Sequence, residues 1–184
     1  MQMAAAAEAG STRPTIAGPI DKEWVEVHTK NTIARGLNIL NYYMFAGGTS
    51  FGYNTGRRDI TSYDYDSAIR EWGELGQKYY TVRRIGAFLE RFGADIIRTL
   101  PAKDIPVQAP RGVSVLQRRG ERSAFIFPRN LTRSPQSVTL TLTLPDGTET
   151  PFPSHIPLYI GPQRMKMLPV HVPLDENMTL AYST

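Results

Sequence analysis

An α+β fold is expected from three features of this 184-residue sequence. Up to about residue 100, helical periodicity surrounds one continuous apolar run, in the order helix, strand, long loop and helix. Helical periodicity then ends, and twelve of the fourteen prolines lie from Pro101 onward. Short runs of alternating apolar and polar residues follow, which is typical of an antiparallel sandwich or barrel-like module. We therefore predict a flexible lead-in over 1–20, a first domain over 21–100 and a β-rich domain over 101–184.

The first predicted helix begins at Asp21, whose side chain can accept hydrogen bonds from the free N–H groups of the first turn. Helical spacing of apolar residues continues to Arg35, and Gly36 stands where a left-handed C-terminal residue is expected. The apolar run 37–45 comes next, and its length and flanking glycines favour a strand buried on both faces, as in a parallel sheet. Such a strand needs neighbouring strands, which the first domain does not supply.

A glycine-rich loop over 46–61 follows, and loops of this length inside compact domains are often functional. A second helix is predicted over 77–92, because apolar residues recur on one of its faces. The β-rich domain is predicted from six short runs and from a tight-turn signal at Pro145 to Gly147. The six runs are 113–119, 123–130, 137–147, 157–161, 164–174 and 178–184.

The composition argues against several classes of partner. The net charge is only +4 and the arginine pairs are scattered, so no nucleic-acid footprint is expected. No apolar stretch approaches the length that spans a bilayer, so no membrane partner is expected either. The chain has no cysteine, and His28, His155 and His171 lack ligand spacing, so no metal site is predicted. Nothing in the sequence assigns a compartment, on which any use of the glycosylation sequon at Asn130 would depend.

Seven of the nine tyrosines lie between Tyr42 and Tyr80, beside the glycines of the long loop. Tyrosine combines an apolar ring face with a hydroxyl, which suits the C–H faces and hydroxyls of sugars. Glycines let the backbone approach a ligand closely. Ordinary packing of the rings is the alternative, and composition alone favours it. Asp64 and Asp66 would share one face if their segment were extended, yet their polar surroundings favour a hydrogen-bonding role over a catalytic one.

Three segments carry a resemblance to a known family. "NYYMFAGGTSFGYN", followed by "ITSYDYDSAIREWGELGQKYY", resembles the family 35 glycoside hydrolases, which are β-galactosidases. The C-terminal "GPQRMKMLPVHVPLDENMTLAYST" resembles the end of the β domain in bacterial members. The resemblance spans Asp21 to Thr184 in the family's order. It implies a partial TIM-barrel segment, made of the last strand and its flanking helices, followed by an antiparallel β-sandwich-like domain.

The resemblance also assigns site residues. Tyr43 and Tyr65 would contact the sugar, while Asn41, Gly47 and Gly48 would shape the mouth of the barrel. Two departures from the family's pattern are tolerable. Ser50 replaces an asparagine, and the pair at 67–68 is Ser-Ala instead of Ala-Pro.

The family's reaction is a retaining double displacement by two glutamates and needs no cofactor. Those glutamates lie in E-N-E-Y-G and T-E-x-x-G-G segments that this sequence lacks, and Glu8 has neither context. We therefore assign no catalytic residue and expect no hydrolysis by this chain alone. The expected partners are a galactose-containing glycan and the missing N-terminal portion of the barrel. The alternative is a non-enzymatic module that binds a glycan or a protein partner.

Overall fold

A computed structural model describes residues 21–54, 61–103, 107–143 and 149–182. The predicted lead-in over 1–20, which includes Glu8, and the turn signal at Pro145 to Gly147 lie outside the described residues. The chain divides into two compact units. The first draws on Met1–Glu26 and Ile39–Phe88, and the second on Val27–Asn38 and Leu89–Thr184. The domain boundary near residue 100 stays a prediction.

Both predicted helices form. Helix α1 spans Lys22–Ala34, and the Asp21 carboxylate caps it by accepting a hydrogen bond from the Trp24 backbone N–H at 2.7 Å. Gly36 follows the helix with a φ of 105°, which is the left-handed conformation expected of it. Helix α2 spans Gln77–Ile96, so it runs past the predicted end at residue 92.

The predicted strand over 37–45 does not form. The segment is irregular, and Ile39 is 76% exposed. A strand of the buried, parallel type is held by ladder hydrogen bonds and by apolar burial on both faces. The described residues offer this segment no neighbouring strand, so the prediction of a buried strand here is wrong. The described residues form no closed barrel, and the α+β fold class is confirmed.

The second unit contains ten described strands, and all of their pairings are antiparallel. A five-stranded sheet has the order β1-β3-β4-β9-β10, a three-stranded sheet β2-β6-β7, and a two-stranded sheet pairs β5 with β8. The strands are β1 Leu100–Ala102, β2 Val107–Gln108, β3 Val113–Arg119, β4 Ala124–Asn130, β5 Gln136–Val138, β6 Leu140–Thr143, β7 Glu149–Phe152, β8 Leu158–Ile160, β9 Leu168–Pro173 and β10 Thr179–Tyr182.

Strand β4 shows how the second unit builds its core. Ala124 and Ile126 belong to a buried cluster that also takes residues from β5, β6, β7, β8 and β9. Phe125 and Phe127, at the alternate positions, are also fully buried, and the Phe125 ring meets Phe92 of α2 with centroids 6.2 Å apart. Because side chains alternate across a strand, the five-stranded sheet is covered on both faces. This is the sandwich-like, sheet-rich domain that was expected.

Arg118 and Asn130 are the two largest polar side chains that are fully buried in this unit. Arg118 of β3 donates hydrogen bonds to six neutral oxygens, at 2.8–3.3 Å: Thr99 Oγ1, Thr99 O, Ile33 O, Leu37 O, Asn38 Oδ1 and Ile96 O. Two of these oxygens, Ile33 O and Ile96 O, lie in the last turns of α1 and α2, where helices leave carbonyls without partners and carry partial negative charge. Burial lowers the pKa of Arg118, yet a guanidinium remains charged. Arg118 therefore ties both helix ends to the sheet.

Asn130 is the second buried polar residue, and it is the acceptor position of the sequon. Its amide nitrogen donates to Ser134 O, Ile160 O and Gly161 O at 2.8–3.1 Å. Its side-chain oxygen accepts from the backbone N–H and the hydroxyl of Thr132, each at 2.8 Å. The amide nitrogen that would carry a glycan is therefore buried and fully used, so Asn130 is a structural residue of the folded chain.

Candidate functional site

The tyrosine-rich segment folds back on itself in the first unit. The Gly47 N–H donates to Ile69 O, and the Tyr63 N–H donates to Gly48 O, both at 2.8 Å. An antiparallel bridge between Thr49 and Ser62 continues the pairing. These contacts place the first two segments that carry the family resemblance side by side.

Gly47 and Gly48 allow this close approach. A Cβ atom on Gly47 would lie 2.7 Å from the Asp64 Cα, and one on Gly48 would lie 2.3 Å from the Tyr63 hydroxyl oxygen. Real Cβ atoms essentially never come this near to another heavy atom. The two glycines therefore set the distance between the loop and the turn that contains Tyr65.

A tight turn presents Tyr65. The Ser67 N–H donates to Asp64 O at 2.7 Å, and the two central residues, Tyr65 and Asp66, have φ values of 45° and 54°. Positive φ at both central positions is the pattern of a type I′ turn, which glycine and asparagine favour. A tyrosine in this conformation costs on the order of 1 kcal/mol. Surrounding contacts must hold it there.

Arg70 supplies those contacts. Its guanidinium pairs with Asp64 at 2.7 Å and with Asp66, the two residues that flank Tyr65. The Asp66 carboxylate also lies 3.1 Å from the buried Lys78 ammonium, an ionic contact without the alignment of a hydrogen bond. The other Asp64 oxygen accepts the Glu71 N–H at 2.7 Å. The extended arrangement considered for the two aspartates is therefore not adopted, and both carboxylates serve to fix the turn.

Glu71 anchors the neighbouring loop. Its carboxylate accepts hydrogen bonds from the hydroxyls of Ser62 and Thr49. These two bonds, that of Ser62 first, lower the pKa of Glu71 against the opposing effect of desolvation. Glu71 is therefore suited to hold a negative charge and unsuited to donate a proton at neutral pH.

The tyrosines divide into packed and exposed groups. A chain of ring contacts links Tyr42, Phe45, Tyr79 and Tyr80, with successive centroids 6.5, 6.2 and 5.6 Å apart. Tyr43 is 53% exposed, Tyr65 is half-buried and Asn41 is exposed. Ring packing thus explains part of the cluster, although Tyr80 is itself 42% exposed, and Tyr43 is the more exposed of the two predicted sugar contacts.

Trp72 is an exposed aromatic residue that sequence reasoning missed. It lies in a turn closed by hydrogen bonds from the Gly73 N–H to Arg70 O at 2.9 Å and from the Arg70 N–H to Glu74 O at 2.8 Å. The Arg70 guanidinium carbon lies 5.0 Å from the centroid of the Trp72 ring. Arg70 was missed as well, because its role depends on partners that the turn brings together. A tryptophan within six residues of the aspartate pair was the available signal.

Two searches of the described ranges bear on other kinds of site. No three His, Asp or Glu side chains among these residues converge into a group that could hold a metal ion. Neither described helix combines the length and apolarity needed to cross a bilayer.

Comparison with known proteins finds matches over the part of the chain that contains this turn assembly. Residues 16–89, which include all five predicted site residues, match the family model of "Glycosyl hydrolases family 35". The "Beta-galactosidase" of Mus musculus is 36% identical over 86 residues, which are 44% of this chain and 12% of that protein. The human "Beta-galactosidase" is 35% identical over 97 residues, covering 50% of this chain and 13% of that protein. The "Probable beta-galactosidase C" of Aspergillus clavatus is 33% identical over 90 residues, covering 49% of this chain and 9% of that protein.

The matched part of this chain is similar to a region of glycoside hydrolases. More specifically, residues 16–89 are similar to glycosyl hydrolase family 35, and 44–50% of the chain is similar to part of each of these three relatives. The matches span only 9–13% of the length of these relatives.

Proposed function

We propose that this chain carries the galactose-facing portion of a β-galactosidase-like glycoside hydrolase and does not hydrolyse β-galactosides by itself. In this proposal Tyr43 and Tyr65 contact the sugar, and Asn41, Gly47 and Gly48 shape the surface around them. In the whole enzyme, the family's two glutamates perform a retaining double displacement.

The conformation of Tyr65 is the observation that carries this proposal. Backbone strain at a non-glycine residue is a pointer to function when the surroundings are built to maintain it. Arg70 holds Asp64 and Asp66 on either side of Tyr65, and Gly47 closes against the same turn. A tyrosine that served only for packing would have no need of this support.

The engagement of the acidic residues supports the absence of hydrolysis. A glycosidase needs one carboxylic acid that can donate a proton and a second carboxylate in reach of the scissile bond. Asp64 and Asp66 are held in ion pairs, and hydrogen bonds favour the charged form of Glu71. The carboxylates around Tyr65 therefore serve structure, and the reacting pair is expected from elsewhere in the enzyme.

Hydrolysis of a chromogenic β-galactoside by the purified 184-residue chain tests the second half of the proposal. We expect no turnover above that of the buffer. Turnover that disappears in a Glu8→Gln or a Tyr43→Phe variant would contradict the proposal, because the reacting groups would then lie within this chain.

Binding of methyl β-D-galactoside, followed by saturation-transfer NMR, tests the first half. Tyr43→Ala and Tyr65→Asn should each weaken binding by about three- to tenfold, since an aromatic contact is worth roughly 0.5–1.5 kcal/mol. Asparagine is the chosen replacement at residue 65 because it tolerates positive φ. Tyr159→Ala, at an exposed tyrosine of the second unit, is the control and should bind as the wild type does. Equal binding by all four proteins would refute the assignment.

The alternative function is a non-enzymatic module that binds a glycan or a protein partner through the same exposed rings. The exposure of Tyr43 favours this alternative as much as it favours the enzyme. This alternative would be supported if the chain binds galactosides but shows no hydrolysis after it is mixed with the N-terminal barrel portion of a relative.

We also propose the N-terminal barrel portion as a partner, docked against segment 37–45. That segment is irregular and exposes Ile39 and Tyr43, although its apolar sequence suits burial. Mixing this chain with the separately produced N-terminal barrel portion of a relative should give a complex and β-galactosidase activity. Charged replacement of Ile39, as Ile39→Asp, should abolish both without unfolding this chain. Assembly that is unaffected by Ile39→Asp would exclude this surface.

A further inference from the structure

An exposed indole stands on the same turn assembly as Tyr65. Trp72 is 66% exposed, although tryptophan is a residue that normally gains much from burial. Exposure by itself marks no binding site, because singly exposed apolar side chains are normal on a protein surface. The groups that hold the Trp72 ring distinguish it from the other exposed side chains.

The Trp72 ring is held in place before any ligand arrives. The Arg70 guanidinium lies over the ring, with its central carbon 5.0 Å from the ring centroid. The indole N–H donates to the Glu74 carboxylate at 2.9 Å. A side chain fixed in this way loses little further freedom on binding, so more of the contact energy appears as affinity.

Arg70 also connects this ring to the proposed galactose contact. The same guanidinium pairs with Asp64 and Asp66, which flank Tyr65. One cation therefore fixes the turn that presents Tyr65 and the ring of Trp72 together. The shared guanidinium therefore places the Trp72 ring beside the turn that presents Tyr65.

We propose that Trp72 is a stacking platform for the sugar ring next to galactose in a β-galactoside. A pyranose ring presents an apolar C–H face, which packs on the flat indole, and its hydroxyls can donate to the Glu74 carboxylate at the edge of the indole. The inference rests on the proposed function, because it takes Tyr65 as the contact for galactose. It adds a preference for ligands that have a second sugar.

Intrinsic fluorescence can follow this site alone. The chain has two tryptophans, so a Trp24→Phe variant leaves Trp72 as the only indole. Titration of that variant with lactose should give a saturable change in emission, whereas sorbitol, which has no ring face, should give none. Lactose should bind about three- to tenfold more tightly than methyl β-D-galactoside, the advantage expected of one aromatic contact.

Binding of both ligands to Trp72 variants, followed by saturation-transfer NMR, separates the outcomes. Trp72→Ala should remove the advantage of lactose and leave methyl β-D-galactoside binding unchanged, and Trp72→Tyr should restore most of that advantage. Phe51→Ala is the matched control, since Phe51 is 99% exposed in the same unit, and it should change neither ligand. Circular dichroism should show that the variants fold alike.

Three results would overturn the inference. Equal affinity of the wild type for lactose and methyl β-D-galactoside would show that no second sugar is recognised, with the proposed function intact. Equal weakening of both ligands by Trp72→Ala would place Trp72 within the galactose contact itself. Absence of binding by either ligand would overturn this inference and the proposed galactose contact together.

Discussion

Replacement of Arg118 by methionine is expected to destabilise the second unit by about 3–5 kcal/mol. Methionine keeps most of the length of the side chain but donates no hydrogen bond. The carbonyls of Ile33, Ile96 and Thr99 would then be buried without their donor. Each buried acceptor left unpaired costs roughly 1–3 kcal/mol, and relief from burying a cation offsets part of the sum. Loss of positive charge at two helix C-termini adds to the damage.

Urea unfolding monitored by circular dichroism would measure this change. The stability of Arg118→Lys should lie between that of Arg118→Met and that of the wild type, because an ammonium keeps the charge but cannot reach both helix ends as the planar guanidinium does. Arg119→Met, at the exposed neighbour on the same strand, is the control and should change stability by less than about 0.5 kcal/mol. If the free energy of unfolding of Arg118→Met lies within about 1 kcal/mol of the wild-type value, the hydrogen bonds of Arg118 are not what joins the helices to the sheet.

Four further predictions concern single positions. Gly47→Ala should lower the free energy of urea unfolding by about 1–3 kcal/mol, because the new Cβ would lie 2.7 Å from the Asp64 Cα. Gly86→Ala in α2, where the new Cβ would meet open space, should raise it by about 0.5–1 kcal/mol. Tyr65→Gly should raise thermal stability slightly, because glycine adopts the φ of 45° without strain, and it should weaken galactoside binding. Lower stability would show that the packing of the Tyr65 ring stabilises the fold by more than the backbone strain destabilises it. Asn130→Asp should lower the free energy of unfolding by about 3–5 kcal/mol at neutral pH and by less in acid, because a carboxylate would face three carbonyl oxygens. A variant as stable as the wild type would show that Asn130 has no structural role. The lowered pKa of Glu71 means that the folded state binds fewer protons than the unfolded state, so the stability that Glu71 contributes is present above the ordinary pKa of 4.5 and is lost as pH falls through the folded pKa. Glu71→Gln should therefore flatten the dependence of the urea midpoint on pH in this acidic range. An unchanged slope would contradict this.

The elements that could be predicted from sequence are those whose signals are local. Asp21 and Gly36 mark the two ends of α1 through capping chemistry, which depends on a few adjacent residues. The runs 113–119 and 123–130 match β3 and β4 because alternation follows from strand geometry. Strands β1, β2 and β7 are short and rich in proline or polar residues, so only their partners in the sheet define them.

Segment 37–45 shows where local signals fail. Its continuous apolar run satisfies the pattern of a doubly buried strand, but a strand is a property of a pair, and the described residues provide no partner. Arg118 shows the opposite case. Its place in the run "VSVLQRR" gives no reason to bury an arginine while its neighbour stays exposed, because the reason lies in helix ends that are distant in sequence.

The candidate site divides in the same way. Residue types alone favoured ordinary packing of the tyrosine rings, and only the family resemblance assigned them to a sugar. The glycines next to the tyrosines indicated close backbone approach, which Gly47 and Gly48 make. The turn around Tyr65 could not be predicted, because its positive φ opposes the local preference of tyrosine and is imposed by ion pairs with Arg70. Asp64 and Asp66, for which a hydrogen-bonding role was expected, therefore hold the shape of the turn. It follows that a change in either aspartate should alter where Tyr65 points before it alters any chemical step.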